Sequence, residues 1–255
     1  MGIDRLGEED TGSLAAESFR SAPPDLPDIP NGPVAPLAAD DSGSQARAEP
    51  SAEYKAKVEA EYRREAVDRG CDGVREVEQN VVTPVMLRIE TEDPGRRLVG
   101  FDHRLKGKER LAEKVTKQLA AQADLTPDEA FAGVKDAIRY TFQYAEDKYE
   151  VGVPADGERL KAEGFEFVDL RNTWDREEYK GINSWWREPM SGLLFEVQFH
   201  TQASYEAKQR THATYERIRD PATPDDEVES LRVLQREVFS KVSIPPGAAD
   251  IFRFP

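Results

Sequence analysis

The chain has 255 residues with 50 acidic and 35 basic side chains, so its formal net charge is −15 and its pI is about 4.8. Because coating nucleic acid or an anionic membrane requires a surplus of cations, this charge argues against both classes of protein. The sequence contains no apolar stretch of 18 residues, and its single cysteine, Cys71, excludes an internal disulfide. The first residues show no secretory pattern, so we expect a cytoplasmic protein or one exported without a visible signal peptide.

The first 50 residues differ in composition from the rest of the chain. They hold seven of the 17 prolines, five glycines, ten acidic side chains and three basic ones. Such a segment cannot bury enough apolar surface to offset its ordering entropy, which predicts a disordered acidic leader over residues 1–50. The remaining 205 residues carry a net charge of −8 and have the length of one domain, residues 51–255.

Helical periodicity dominates the first part of this domain. Apolar residues at helical spacing, with turn and capping signals, predict helices over about 52–68 (ended by Gly70), 72–80, 108–122 and 126–135. The last of these opens on a capping box, Thr126-Pro127-Asp128-Glu129. Between the second and third helices, Thr83-Pro84 predicts a turn into a strand over 85–90.

Beyond residue 137 the apolar spacing changes from helical to alternating. This pattern predicts strands over 138–144, 165–170, 179–186 and 193–201. Helices are predicted over 156–162, 203–218 and 225–241, and a hairpin connection over 189–192. Together these elements predict an α+β fold with a mixed sheet of four to five strands flanked by helices.

One segment of this acidic chain is strongly basic. Six cations lie between residues 101 and 117 against three acids: Arg104, Lys106, Lys108, Arg110, Lys114 and Lys117. Arg104 and Lys106 alternate along an extended piece that leads into a helix, so we expect both to face a polyphosphate near the helix N-terminus. A solvated helix face with Glu–Lys pairs would use the same residues.

The strand predicted over 193–201 has two unlike faces. Glu196, Gln198 and His200 share one face, and the other is apolar: Phe195, Val197 and Phe199. A row of inward polar groups on a central strand predicts the floor of a cleft, whereas an edge strand with one wet face would show the same pattern. In a cleft, Glu196 could act as a metal ligand or a general base.

Carboxylates on neighbouring elements predict a hard-oxygen site. Asp136 ends a predicted helix, and Arg139 follows on the next strand. Together with Glu196, Asp136 would suit Mg²⁺. An ordinary salt bridge would use the same residues. Tyr179 shares a strand face with Asn183 and could stack on a base. None of the His and Cys residues shows a zinc-binding spacing, and the pattern around His212 is as typical of a helix surface as of a site.

Taken together and in this order, these segments resemble the synthetase domain of the RelA/SpoT family over roughly residues 98–219. The resemblance rests on four motifs: Arg104-x-Lys106-x-Lys108, Tyr179-Lys-Gly-Ile-Asn183, Glu196-Val-Gln198-Phe-His-Thr201 and Thr211-His212-x-x-Tyr215-Glu216. The sequences of these motifs are most similar to those of secreted bacterial ATP nucleotide 3′-pyrophosphokinases and toxin-like alarmone synthetases. Their fold is nucleotidyltransferase-like, and their choice of acceptor is relaxed.

The resemblance implies Mg²⁺-dependent transfer of pyrophosphate from ATP to the 3′-hydroxyl of a purine nucleotide, giving ppApp, pppApp or ppGpp-type products. It implies that ATP is bound by Arg104, Lys106, Lys108, Lys114 and Arg139. It implies that the acceptor is bound by Tyr179, Lys180, Asn183, Gln198, His200 and His212. Asp136 and Glu196 are the implied metal ligands and catalytic residues, with Glu196 taking the proton of the 3′-hydroxyl.

Three positions depart from the family pattern. Asp136 lies three residues before Arg139 rather than five, His200 replaces an Arg and Asn183 replaces a His. Two other interpretations stay open. One is a toxin that pyrophosphorylates the 3′ end of tRNA, with a cognate immunity protein as partner; the net charge disfavours tRNA. The other is a catalytically silent nucleotide-binding module. No membrane partner is expected.

Overall fold

The computed structural model describes residues 51–252 and residue 254. The leader predicted over residues 1–50 lies outside the described residues. The described part of the chain holds seven α-helices and one five-stranded sheet. Among these helices, none combines the length and apolar character needed to cross a bilayer.

The described chain begins with one long helical run. Helix α1 spans Ala52–Val77, a π-helical turn spans Glu78–Val82 and helix α2 spans Thr83–Thr91. The predicted helix end at Gly70 is wrong, because Gly70 lies inside α1, where a Cβ would come within 2.1 Å of the Phe131 ring. The missing side chain therefore permits close packing instead of ending the helix.

The strand predicted over 85–90 is also wrong, since this segment belongs to α2. Val85, Met86 and Ile89 are buried at a spacing that places them on one side of a helix. A short apolar run fits both helix and strand, and Pro84 in the first turn starts a helix here instead of a turn into a strand.

The next two helices agree more closely with the sequence. Helix α3 spans Lys108–Ala121 and helix α4 spans Pro127–Ala132. The capping box of α4 is confirmed, because the Glu129 backbone N–H donates to the Thr126 hydroxyl and the Thr126 N–H donates to the Glu129 carboxylate. Helix α4 ends earlier than predicted, with Gly133 at its C-cap.

The sheet has the order β1-β2-β5-β4-β3. Strands β2 and β5 are parallel, and the other neighbours are antiparallel. The mixed sheet of five strands confirms the α+β class. Strand β1 has three residues and was not predicted. The bounds are β1 Arg96–Leu98, β2 Ile138–Tyr144, β3 Glu166–Asn172, β4 Ile182–Arg187 and β5 Leu194–Thr201.

Three longer helices complete the fold. They are α5 Glu146–Ala162, α6 Gln202–Arg219 and α7 Asp225–Phe239. Helix α5 begins well before the predicted start at residue 156, and it contains both Gly152 and Pro154. A Cβ at Gly152 would come within 2.5 Å of the Tyr144 ring, so this glycine also serves close packing.

The register of the central strands gathers polar side chains on one sheet face. Strand β5 lies between β2 and β4, so the edge-strand interpretation is wrong. Arg139 on β2 pairs with Glu196 on β5, and both Thr141 and Asn183 pair with Gln198 from opposite sides. Paired residues point to the same face of a sheet. The opposite face is apolar and buried: Ile138, Tyr140, Phe142, Phe195, Val197 and Phe199.

Candidate active site

The centre of the polar face is an ion pair between β2 and β5. The Nε of Arg139 donates to Oε2 of Glu196 at 2.6 Å. The other carboxylate oxygen, Oε1, accepts from Nε2 of Gln198 at 2.9 Å. Glu196 is 4% exposed. A carboxylate this buried requires partners, and the guanidinium and the amide supply them.

A second carboxylate lies beside this pair. Asp136 occupies the turn before β2, and its oxygens accept from Lys114 at 2.6 Å and from Lys106 at 3.1 Å. The Nη2 of Arg139 lies 3.8 Å from Asp136, farther away than either lysine. A salt bridge between Asp136 and Arg139 is therefore not the main contact of this carboxylate. Burial by itself would raise the pKa of Asp136, but hydrogen bonds from Lys114 and Lys106 outweigh it and lower the pKa to about 2.

Helix α6 contributes a lysine that the sequence motifs did not indicate. Lys208 donates through Nζ to Oε1 of Gln198, which also accepts from the Thr141 hydroxyl at 3.4 Å. Burial, together with the positive charge of Arg139, lowers the pKa of Lys208 to about 8, although Glu196 opposes this shift. The sequence feature that could have indicated Lys208 is its position two helical turns after the end of β5.

These contacts define a carboxylate–cation cluster of seven residues: Lys106, Lys114, Asp136, Arg139, Glu196, Gln198 and Lys208. Its four cations exceed its two carboxylates by two charges. A surplus of positive charge around two carboxylates can hold phosphates and a divalent cation together. The two carboxylates approach from different elements, a turn and a central strand, and Arg139 lies between them.

Two of the predicted ATP-binding cations lie outside this cluster. Arg104 donates through Nε to Glu78 at 2.6 Å, and its guanidinium lies 4.1 Å from the ring centroid of Phe101. The Nζ of Lys108 lies 2.7 Å from Asp68 and 2.8 Å from Asp72 of α1, and hydrogen bonds to these two carboxylates raise its pKa. We expect Arg104 and Lys106 to share one face from the sequence, but in the structure Arg104 contacts Glu78 whereas Lys106 contacts Asp136.

Glu78 is a buried acid that sequence reasoning missed. It lies in the π-helical turn and is fully buried. One oxygen accepts from Arg104, from the Tyr140 hydroxyl at 2.8 Å and from the Thr83 hydroxyl. The other, Oε2, has no hydrogen-bond partner among the described residues. Glu78 thus holds Arg104 near the hydroxyl of Tyr140, a residue of the apolar face of the sheet.

Three of the predicted acceptor residues, Tyr179, Asn183 and His200, form a second network next to the cluster. The Tyr179 hydroxyl, in the loop between β3 and β4, donates to Oδ1 of Asn183 at 3.1 Å and lies 2.9 Å from Nε2 of His200. Burial raises the pKa of Tyr179, and the negative charge of Glu196 adds to the shift. Asn183 pairs with Gln198 across β4 and β5, so the network adjoins the cluster.

His200 serves this network from inside the protein. Its Nδ1 lies 2.9 Å from the Ser204 hydroxyl, and the residue has no exposed surface. A Cβ on Gly181 would come within 2.7 Å of its ring. Burial, with the nearby positive charge of Lys208, lowers the pKa of His200 well below its ordinary value. His200 is therefore shielded from solvent and contacts the Tyr179 hydroxyl from the protein interior.

The remaining predicted acceptor residues lie apart from the cluster. Lys180 is buried and donates to the carbonyl of Trp174 at 3.3 Å. His212 is exposed on α6, which agrees with the interpretation of this residue as a histidine on a helix surface. The structure therefore brings together Tyr179, Asn183, Gln198 and His200, but neither Lys180 nor His212 joins them.

The residues present suit a magnesium ion by donor type. Within the described part of the chain, no three His, Cys, Asp or Glu side chains gather as a ready-made metal site. Asp136 and Glu196 nevertheless offer carboxylate oxygens on either side of Arg139. Mg²⁺ is commonly held by one or two carboxylates, with substrate phosphates and waters completing its shell. This donor pair fits that pattern.

No family profile and no curated protein matches this chain. Small alarmone synthetase 1 from Bacillus subtilis aligns at 16% identity over 69% of this chain and 87% of its own, with a TM-score of 0.42. A GTP pyrophosphokinase family protein from Streptococcus pneumoniae aligns at 12% identity over 74% and 89%, with a TM-score of 0.40.

A third solved structure, smu.1046c from Streptococcus mutans UA159, aligns at 12% identity over 69% of this chain and 88% of its own, with a TM-score of 0.40. These alignments lie at 12–16% identity. At this level of similarity, activity has to be argued from the residues of the site.

Proposed function

We propose that the protein is a Mg²⁺-dependent nucleotide 3′-pyrophosphokinase, which transfers the β,γ-pyrophosphoryl group of ATP to the 3′-hydroxyl of a purine nucleotide. The carboxylate–cation cluster is the observation that carries this proposal. It combines a buried carboxylate, a second carboxylate suited to a metal, and four cations that contact these carboxylates or Gln198. Pyrophosphoryl transfer needs mainly positioning and charge neutralisation, which such a cluster supplies.

The donor phosphates are assigned to the cations around Asp136. Lys106, Lys114 and Arg139 converge there from a loop, a helix and a strand. Their charges exceed what one carboxylate can neutralise, so they can exchange a contact with Asp136 for one with a phosphate. Asp136 and Glu196 would hold Mg²⁺, which when bound supplies further neutralisation of the donor phosphates.

Glu196 is assigned as the general base. The acceptor 3′-oxygen forms a bond to the β-phosphorus of ATP while the bond from that phosphorus to the α,β-bridging oxygen breaks, and AMP leaves with the bridging oxygen. Glu196 takes the proton of the 3′-hydroxyl. Arg139 and Gln198 each bond one of its carboxylate oxygens, which fixes the orientation of the base.

The acceptor is assigned to the side of the cluster where Tyr179 and Asn183 lie. Tyr179 is half-buried, and its hydroxyl is held by Asn183 and His200, so the ring has a fixed orientation from which it can stack on a purine. Both partners, Asn183 and His200, differ from the family pattern, which supports an acceptor choice different from that of a strict guanine-nucleotide enzyme.

The test is product analysis by mass spectrometry after incubation with ATP, Mg²⁺ and one acceptor at a time. ADP, GDP and total tRNA are the acceptors, and each reaction is compared with one lacking the protein. We expect AMP and a 3′-pyrophosphorylated purine nucleotide with ADP or GDP. Modified tRNA alone would favour the tRNA toxin, and binding of ATP without any product would favour a silent module.

A further inference from the structure

Lys208 links helix α6 to the floor of the carboxylate–cation cluster. Its Nζ donates to Oε1 of Gln198 and lies 5.6 Å from the ring centroid of Tyr205. Its charged neighbours are Arg139 on β2 and Glu196 on β5. Lys208 is thus placed to act on the proposed base through one intervening side chain.

Gln198 is that intervening side chain, and its amide can be oriented in two ways. The carbonyl end accepts hydrogen bonds and the NH₂ end donates them, while the two ends have nearly the same shape. In the structure the carbonyl faces Lys208, and Nε2 donates to Oε1 of Glu196 at 2.9 Å. The reverse orientation would set a carbonyl oxygen against a carboxylate, which removes a hydrogen bond and adds a repulsion.

Lys208 and Glu196 favour the same orientation of this amide, one from each end. An ammonium group only donates, so it is compatible with the carbonyl end of the amide alone. The other contact of the Gln198 oxygen is the Thr141 hydroxyl, at 3.4 Å. A hydroxyl donates or accepts equally well, so Thr141 fits either orientation. The donor-only character of Lys208 therefore adds to the preference that the acceptor-only carboxylate of Glu196 sets, and holds the amide in place from its carbonyl end.

We propose that Lys208 is a positioning residue for the reaction proposed above: by holding the Gln198 carbonyl, it aims the amide N–H at Glu196 and so fixes the base. This inference rests on the proposed function. It assigns to α6 a role in the chemical step that requires no contact between Lys208 and substrate. A lysine that bound phosphate directly would act mainly on substrate affinity.

Steady-state kinetics of Lys208→Met separate these roles. We expect kcat to fall by about tenfold or more while the KM for ATP changes by less than about threefold. Lys208→Arg, which keeps a donor-only side chain, should retain most of kcat. Arg210→Met is the matched control, because Arg210 is exposed on the same helix. A kcat of Lys208→Met within about twofold of wild type, or a change confined to KM, overturns the proposal.

A double-mutant cycle tests whether Lys208 acts through Gln198. In a Gln198→Leu background no amide remains to be oriented, so adding Lys208→Met should lower kcat by less than about twofold. Additive losses would mean that Lys208 acts by another route and would overturn the proposal. Thermal unfolding of each variant shows whether it is folded, and the Lys208→Arg comparison remains available if Lys208→Met unfolds.

Amide exchange gives a readout that needs no turnover. The Gln198 side-chain NH₂ signals are assigned by their loss in Gln198→Leu. Their exchange with solvent should be about tenfold faster in Lys208→Met than in wild type. If the wild type makes no product, the proposed function fails while this measurement still tests the contact. If product forms but exchange is unchanged in Lys208→Met, the positioning role alone fails.

Discussion

Arg139 and Glu196 form a 2.6 Å ion pair across the two parallel strands at the centre of the sheet. The same guanidinium lies 3.8 Å from Asp136, so one side chain stands between both carboxylates of the candidate site. A planar guanidinium can hold two acids in a fixed relation, which a lysine ammonium does less well. The geometry of the site therefore depends on Arg139.

Arg139→Lys tests this dependence. The variant keeps the charge but loses the planar fork, so we expect kcat/KM for AMP formation to fall by about tenfold or more. Arg210→Lys, on the exposed face of α6, is the matched control and should leave the rate unchanged. A rate for Arg139→Lys within about twofold of wild type would show that the planar fork is dispensable.

Lys106 and Lys108 differ in partner although they are two residues apart. Lys106 faces Asp136, whereas Lys108 faces Asp68 and Asp72 of α1. We expect Lys106→Met to raise the KM for ATP by about tenfold, since it removes a cation from the cluster. Lys108→Met should leave that KM unchanged and lower the free energy of unfolding only slightly, because solvent screens its ion pairs with Asp68 and Asp72. The reverse pattern of KM values would contradict our assignment of the donor phosphates.

Asp136 gives stability a specific dependence on pH. Its pKa is lowered from 3.8 to about 2 in the folded state, so the ionised carboxylate stabilises the fold above its ordinary pKa. This stabilisation is lost as the pH falls through the folded value. In urea unfolding, the difference in unfolding free energy between wild type and Asp136→Asn should be constant above about pH 5 and shrink from about pH 4 to 2. A difference that stays flat over this range would exclude the ion pairs described for Asp136.

Gly70 and Gly73 lie one turn apart on α1 and provide a matched pair for packing. A Cβ at Gly70 would clash with Phe131, whereas nothing lies within 4 Å of a Cβ at Gly73. We expect Gly70→Ala to lower the free energy of unfolding by about 1–3 kcal/mol. Gly73→Ala should raise it by about 0.5–1 kcal/mol through helix propensity. Equal effects of the two substitutions, measured by urea unfolding, would contradict the close approach of α1 and α4.

Alternation along β5 was the strongest sequence signal for the site. A period of two fixes which residues share a face, so Glu196, Gln198 and His200 could be grouped without knowing what covers them. The same rule failed for residues 85–90, because a short apolar run satisfies both helix and strand. Pro84 in the first turn then decides for a helix.

Contacts between distant elements could not be predicted from spacing. Lys208 meets Gln198 because of the way α6 is rotated against β5, and no local pattern encodes that rotation. Arg104 turns to Glu78, an acid 26 positions earlier in a π-helical turn. Cation spacing therefore identified the basic segment but not the partner of each cation.

Glu196 is the residue on which the proposed reaction most directly depends. The decisive measurement compares wild type, Glu196→Gln and the exposed α6 control Glu206→Gln by mass spectrometry after incubation with ATP, Mg²⁺ and a purine nucleotide acceptor. We predict equal amounts of AMP and 3′-pyrophosphorylated nucleotide from wild type and Glu206→Gln, and a rate lower by about a hundredfold or more from Glu196→Gln. Full activity in Glu196→Gln, or ADP and phosphate as the products of the wild type, would contradict this account.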